Sequence, residues 1–118
     1  MKSAAQLFAE SRQRITEIST ADVRDALARG DDLVLIDIRE PNEWAMGRIP
    51  GALLIARGVL ESGVDARIPR EKRIVLYCAS CNRSALAAES LGQMGYTDVA
   101  SMREGIKGWR AMGGDIEG

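Results

Sequence analysis

The sequence predicts an α/β domain: a parallel sheet covered by helices. Three observations carry that prediction. First, Leu33-Val34-Leu35-Ile36-Asp37, Ala52-Leu53-Leu54-Ile55 and Ile74-Val75-Leu76-Tyr77 are short, nearly continuous apolar runs. Strands buried on both faces read this way. Second, Ser84-Ala85-Leu86-Ala87-Ala88-Glu89-Ser90-Leu91 is rich in helix formers and closes near Gly92 or Gly95. Third, Thr97-Asp98-Val99-Ala100 is a weaker strand pattern, so strand, helix and strand follow one another within about 25 residues, as a right-handed βαβ crossover requires.

The remaining elements follow in chain order. Ala4, Leu7, Phe8, Ile15 and Ile18 recur at helical spacing, so residues 3–18 are expected to hold an amphipathic helix, an N-terminal extension packing on a domain of residues 19–118. A mitochondrial transit peptide is the rival reading, and Glu10 and Glu17 argue against it. Ser19-Thr20-Ala21-Asp22 opens a second helix, Val23, Ala26 and Leu27 form its apolar face, and Gly30 stops it. Gly105 to Met112 forms a final short helix.

The 118 residues fit one compact domain. With 46% hydrophobic and 28% charged residues, the chain has enough apolar material for a core. Lys and Arg number 16 against 17 Asp and Glu, which leaves no overall nucleic-acid footprint. No apolar run approaches the roughly 20 residues of a membrane span, and the N-terminus lacks the apolar stretch of a secretory signal, so a cytoplasmic protein is expected.

The two cysteines, Cys78 and Cys81, are three apart, and there is no histidine. A structural zinc site wants four Cys or His ligands, so no metal is expected, and a Cys-His catalytic pair is excluded. Chemistry must come from a thiol, carboxylates, cations or backbone amides. In open α/β sheets, sites form beyond the carboxyl ends of the strands. There the third run ends, and Cys78-Ala79-Ser80-Cys81-Asn82-Arg83-Ser84 leads into a helix. Small and polar residues let such a loop curl with its N–H groups inward, and at a helix N-terminus that curl binds anions and stabilises negative charge on sulfur. Taken alone, Cys78 reads equally as a small core hydrophobe at a strand end. Asn82, Arg83 and Ser84, opening the helix, shift the balance toward a nucleophile.

Cys78, four residues, then Arg83-Ser84 resembles the active-site loop of rhodanese-family sulfurtransferases. Asp37-Ile38-Arg39-Glu40, Glu43-Trp44, Gly47-Arg48-Ile49-Pro50-Gly51-Ala52 and Gly105-Ile106-Lys107-Gly108-Trp109 extend the resemblance in order and spacing over roughly residues 20 to 115. Two positions depart from it: Arg48 stands where the family usually has His, and Cys81 where it usually has Gly.

The resemblance implies a rhodanese-like parallel sheet of about five strands with helices on both faces. It implies no cofactor. It also implies that sulfane sulfur from thiosulfate or a related small anionic donor rides on Cys78 as a persulfide before passing to cyanide, a thiol or a protein acceptor. Backbone N–H groups from Ala79, Ser80, Cys81, Asn82, Arg83 and Ser84 would hold donor and persulfide. Arg83 either grips the donor or, the favoured reading, pairs with a carboxylate and braces the loop. Asp37 and Arg39 are supporting candidates on the neighbouring strand end, where a plain strand-end turn is an equal reading. Cys81 is expected to be accessory, and Trp44 and Trp109 to be packing residues. Arg48, Arg57, Arg67, Arg70 and Arg73 suggest either a basic rim or scattered surface charge.

The rivals are a rhodanese-like binding or regulatory module, a cysteine-dependent phosphatase or arsenate reductase, and a thiol-disulfide protein. By resemblance, the phosphatase loop is one residue longer between cysteine and arginine, and the shorter ring here suits a sulfur atom better than a phosphoryl group.

Overall fold

The structure, a computed structural model, describes residues 1–118. Its strands are β1 (Thr16–Ile18), β2 (Val34–Asp37), β3 (Leu53–Leu54), β4 (Ile74–Tyr77) and β5 (Val99–Met102). They form one parallel sheet in the order β1-β5-β4-β2-β3. The helices are α1 (Ala4–Arg14), α2 (Thr20–Arg29), α3 (Pro41–Ala45), α4 (Leu60–Arg67), α5 (Asn82–Gln93) and α6 (Gly105–Ala111). None is long and apolar enough to cross a membrane.

Period-two alternation divides the core between the two faces of the sheet. Ile74 and Leu76 of β4 and Ile36 of β2 pack with Leu60 and Val64 of α4 and Ala87 and Leu91 of α5. Val75, Tyr77 and Leu35 point the other way, to Val23 of α2 and Ile106 and Trp109 of α6. Helices therefore cover both faces, as a sheet of apolar runs demands. Cys78 continues the parity of Ile74 and Leu76 and so falls on the α4/α5 face. The chain leaves β2 toward β3 on one side and β4 toward β5 on the other. The carboxyl ends of the adjacent β2 and β4 thus form the crevice of the fold.

Ser19 caps α2 by accepting from the Asp22 amide, and Gly30 ends it at φ 73. The expected helix over 3–18 is shorter. It starts from a Ser3–Gln6 capping box and stops at Arg14, and residues 16–18 become the edge strand β1 beside β5. Ile15 and Ile18 fit a helical repeat, but Ile15 is already extended (φ -120, ψ 168) and the sheet edge claims the residues that follow. α1 lies on α5, tied by an Arg14–Glu89 ion pair at 2.9 Å. The last strand begins two residues later than its sequence pattern, at Val99. The helices α3 and α4 lie outside the sequence expectation.

Candidate active site

The loop after β4 is held in place from one side. Ile106 N–H donates to the Cys78 carbonyl at 3.0 Å and Lys107 N–H to the Ala79 carbonyl at 3.1 Å. Gly105 makes this approach feasible. Its φ of 63 suits glycine, and a Cβ there would collide with the Ala79 and Ser80 carbonyl oxygens. In a trans peptide the N–H points opposite to the preceding carbonyl, so the Ala79 and Ser80 amides face away from α6.

Past this anchor, none of the amides from Ala79 through Ser84 donates to a protein oxygen; the first N–H that does is Ala85, to the Cys81 carbonyl at 3.0 Å. The first turn of any helix leaves its N–H groups without intrahelical partners. Here the N-cap residue, Cys81, supplies no side-chain acceptor for them. The result is an uncapped helix N-terminus continuous with a run of free amides, an arrangement suited to negative charge.

Cys78 sits at the base of this loop, 1% exposed, at the end of the aliphatic cluster on the α5 face. Its sulfur also has a polar neighbour, the Ser84 hydroxyl at 3.5 Å. Ser84 donates in turn to the Cys81 carbonyl at 3.2 Å and shares a 2.7 Å hydrogen bond with Ser101 of β5. The loop above is more open, with Ser80 and Asn82 exposed and Ala79 half-buried. Both cysteines are free. Burial pushes the Cys81 thiol up, against an opposing pull from Arg12 of α1.

Arg83 makes a two-pronged contact with Glu43 of α3, at 2.8 and 3.1 Å. These bonds, helped by the Glu40 amide, hold the Glu43 carboxyl down to about 2. Arg83's charged form is favoured first by Glu43 and then by its proximity to Cys78. Glu43 is thus a site residue that the sequence reading cited only for resemblance. The signal available was the preference for Arg83 as a brace, which requires a carboxylate on the same rim.

Asp37 and Arg39 do not reach the loop. They form a buried pair at 2.7 Å, 0% and 6% exposed at the side chains, and Arg39 also donates to the Gly47 carbonyl at 2.8 Å. The Arg39 backbone N–H donates to the same Asp37 carboxylate at 3.0 Å. Arg48 stacks 4.6 Å from the Trp44 ring and pairs with Glu117 at 3.5 Å. Trp109 is buried, its indole N–H donating to the Asp115 carbonyl. Arg57, Arg70 and Arg73 pair with Glu61, Asp65 and Asp31, whereas Arg67 is exposed and makes no ion pair.

Fold and site together define a class: a parallel α/β domain presenting a strand-end cysteine under an uncapped helix. The model of the Rhodanese-like domain matches residues 19–112, and the chain belongs to that family. It is 36% identical to a sulfurtransferase of Allochromatium vinosum over 84% of this chain and 92% of that protein. It is 38% identical over 78% of its length to the probable adenylyltransferase/sulfurtransferase MoeZ of Mycobacterium tuberculosis, but spans only 24% of that protein. Among solved structures, a Rhodopseudomonas palustris protein of unknown function, named a possible tyrosine phosphatase, superposes with a TM-score of 0.90 at 36% identity, covering 99% of this chain and 96% of the other. A rhodanese-related protein of Thermoplasma volcanium gives 0.77 at 28% identity, covering 86% and 97%.

Proposed function

We propose that the protein moves sulfane sulfur from thiosulfate or a related anionic donor to cyanide or a thiol through a persulfide on Cys78. The Cys78 thiolate attacks the outer sulfur of thiosulfate, a new S–S bond forms, and sulfite leaves with the electron pair of the broken bond. A thiophile then attacks the outer sulfur. With cyanide this yields thiocyanate and returns the thiolate. Each half-step is a simple displacement, which is what covalent catalysis gains over direct transfer.

The observation that carries this reading is the run of amides from Ala79 through Ser84 with no protein acceptor, continuous with the head of α5. Those N–H groups would meet the anionic donor, the thiolate and the persulfide in turn. Ser84 adds a hydroxyl to the sulfur. Arg83 braces the loop through Glu43, and Asp37 with Arg39 supports the neighbouring strand end. Cys81 is accessory. A protein acceptor is compatible with the exposed loop tip.

The phosphatase named for the Rhodopseudomonas palustris neighbour is the competing reading. It asks the loop arginine to grip two phosphoryl oxygens, whereas both prongs of Arg83 are taken by Glu43. The loop also has only Ala79, Ser80, Cys81 and Asn82 between nucleophile and arginine.

Intact-mass measurement after incubation with thiosulfate tests the proposal. The expected result is a gain of one sulfur atom, reversed by cyanide and absent in Cys78→Ser. No gain, with hydrolysis of a phosphate ester instead, would establish the rival.

A further inference from the structure

We propose that Ser101, at the end of β5, is a positioning residue for the Cys78 sulfur and acts through Ser84. The Ser84 oxygen has three polar neighbours: Cys78 sulfur at 3.5 Å, the Cys81 carbonyl at 3.2 Å and the Ser101 hydroxyl at 2.7 Å. A hydroxyl has one proton to give and two lone pairs to receive. The Cys81 carbonyl only accepts. With Cys78 as a neutral thiol, one arrangement satisfies every proton: S–H and the Ser101 O–H both donate to Ser84, and Ser84 donates to Cys81.

Ser101 is fully buried, and Ser84 is the sole partner of its hydroxyl. Turning that O–H away from Ser84 would leave a buried donor unpaired, at a cost of about 1–3 kcal/mol. Its proton is therefore committed to Ser84. When Cys78 gives its proton to solvent, the sulfur becomes an acceptor, and the Ser84 proton can turn toward it. The Cys81 carbonyl tolerates the loss because it already accepts from the Ala85 N–H at 3.0 Å. Donation from Ser101 meanwhile polarises Ser84 and makes it a stronger donor to the thiolate. The other titratable groups near the sulfur are Arg83, backed by Glu43 of α3, and the Cys81 thiol, and Ser101→Ala leaves all three in place.

The inference deepens the sulfur-transfer reading, but its test does not depend on turnover. In a Cys81→Ala background, which removes the second thiol without adding a capping oxygen at the head of α5, the Cys78 thiolate is titrated by its ultraviolet absorbance, and thiosulfate loading is followed by intact mass. Ser101→Ala is expected to move the titration midpoint up by about half a unit to one unit. It should slow loading at pH values below the new midpoint, while Ser101→Thr, which keeps the hydroxyl, restores both. Ser101→Gly removes the same hydroxyl and serves if the alanine variant folds poorly. An unchanged midpoint in folded Ser101→Ala or Ser101→Gly overturns the inference, even if the melting temperature drops. A shifted midpoint in a protein that takes no sulfur upholds the positioning role and sinks the sulfur-transfer reading instead.

Discussion

The loops that follow β2 and β4 leave neighbouring strands at the same edge of the sheet, yet they treat their polar groups in opposite ways. After β2, the carboxylate of Asp37 is taken up by the backbone and guanidinium of Arg39, which also donates to the Gly47 carbonyl. After β4, the amides from Ala79 through Ser84 are left unclaimed. A closed network fixes geometry, and an open one keeps interaction energy for something that arrives later. The β2 loop therefore reads as scaffold and the β4 loop as site, with the Glu43–Arg83 pair joining them.

Breaking the scaffold should give the largest effect. Asp37→Ala strands a buried guanidinium, and unfolding by denaturant is expected to show a loss of about 3–5 kcal/mol, because a buried charge without its partner is strongly unfavourable. Stability close to that of the unchanged chain would show that the β2 loop is not the scaffold described. Gly105→Ala comes next. It forces a Cβ into a left-handed backbone position against the loop carbonyls, at a cost of about 1–3 kcal/mol, and should lower sulfur loading by displacing the loop.

Glu43→Gln sharpens the comparison by cutting the link between the loops. Loading should slow severalfold as Arg83 loses its anchor. The acid limb of stability should change as well. Glu43 is held to about 2 in the fold against an ordinary 4.5, so its contribution is fully present above about pH 4.5 and disappears as the pH falls toward 2. The variant is expected to lose stability at neutral pH and to show a flatter decline across that acid window in thermal melts. The smallest effect is expected from Cys81→Ala, which removes the thiol, adds no capping oxygen at the head of α5 and should leave sulfur loading from thiosulfate largely intact. Complete loss of loading in a folded Cys81→Ala protein would move that thiol from accessory to essential.

How much was legible in the sequence follows the same division. The β4 loop is legible as a candidate because its features are local: one cysteine, a short polar run and a helix start are contiguous in the chain. The scaffold around it depends on distance. Glu43 is forty residues from Arg83, and nothing local says that the two meet. The helix α4 was obscured by Gly63 in its middle. The structure explains that glycine, since a Cβ there would stand 2.8 Å from the Ile55 side chain. β1 was masked because Ile15 and Ile18, three apart, fit a helical repeat, whereas in the extended chain they pack on opposite sides of the sheet. Ser101 was hidden in a strand read two residues out of place, so its inward hydroxyl had no address.

The central claim, that the free amides at the head of α5 hold the sulfur on Cys78, is tested most directly by amide NMR spectra of the isotopically labelled protein before and after loading with thiosulfate. The largest shifts are expected on the N–H groups of Ala79 through Ser84 and should reverse when cyanide strips the sulfur. A loaded protein whose amides there stay still, with the changes gathered elsewhere, would contradict it.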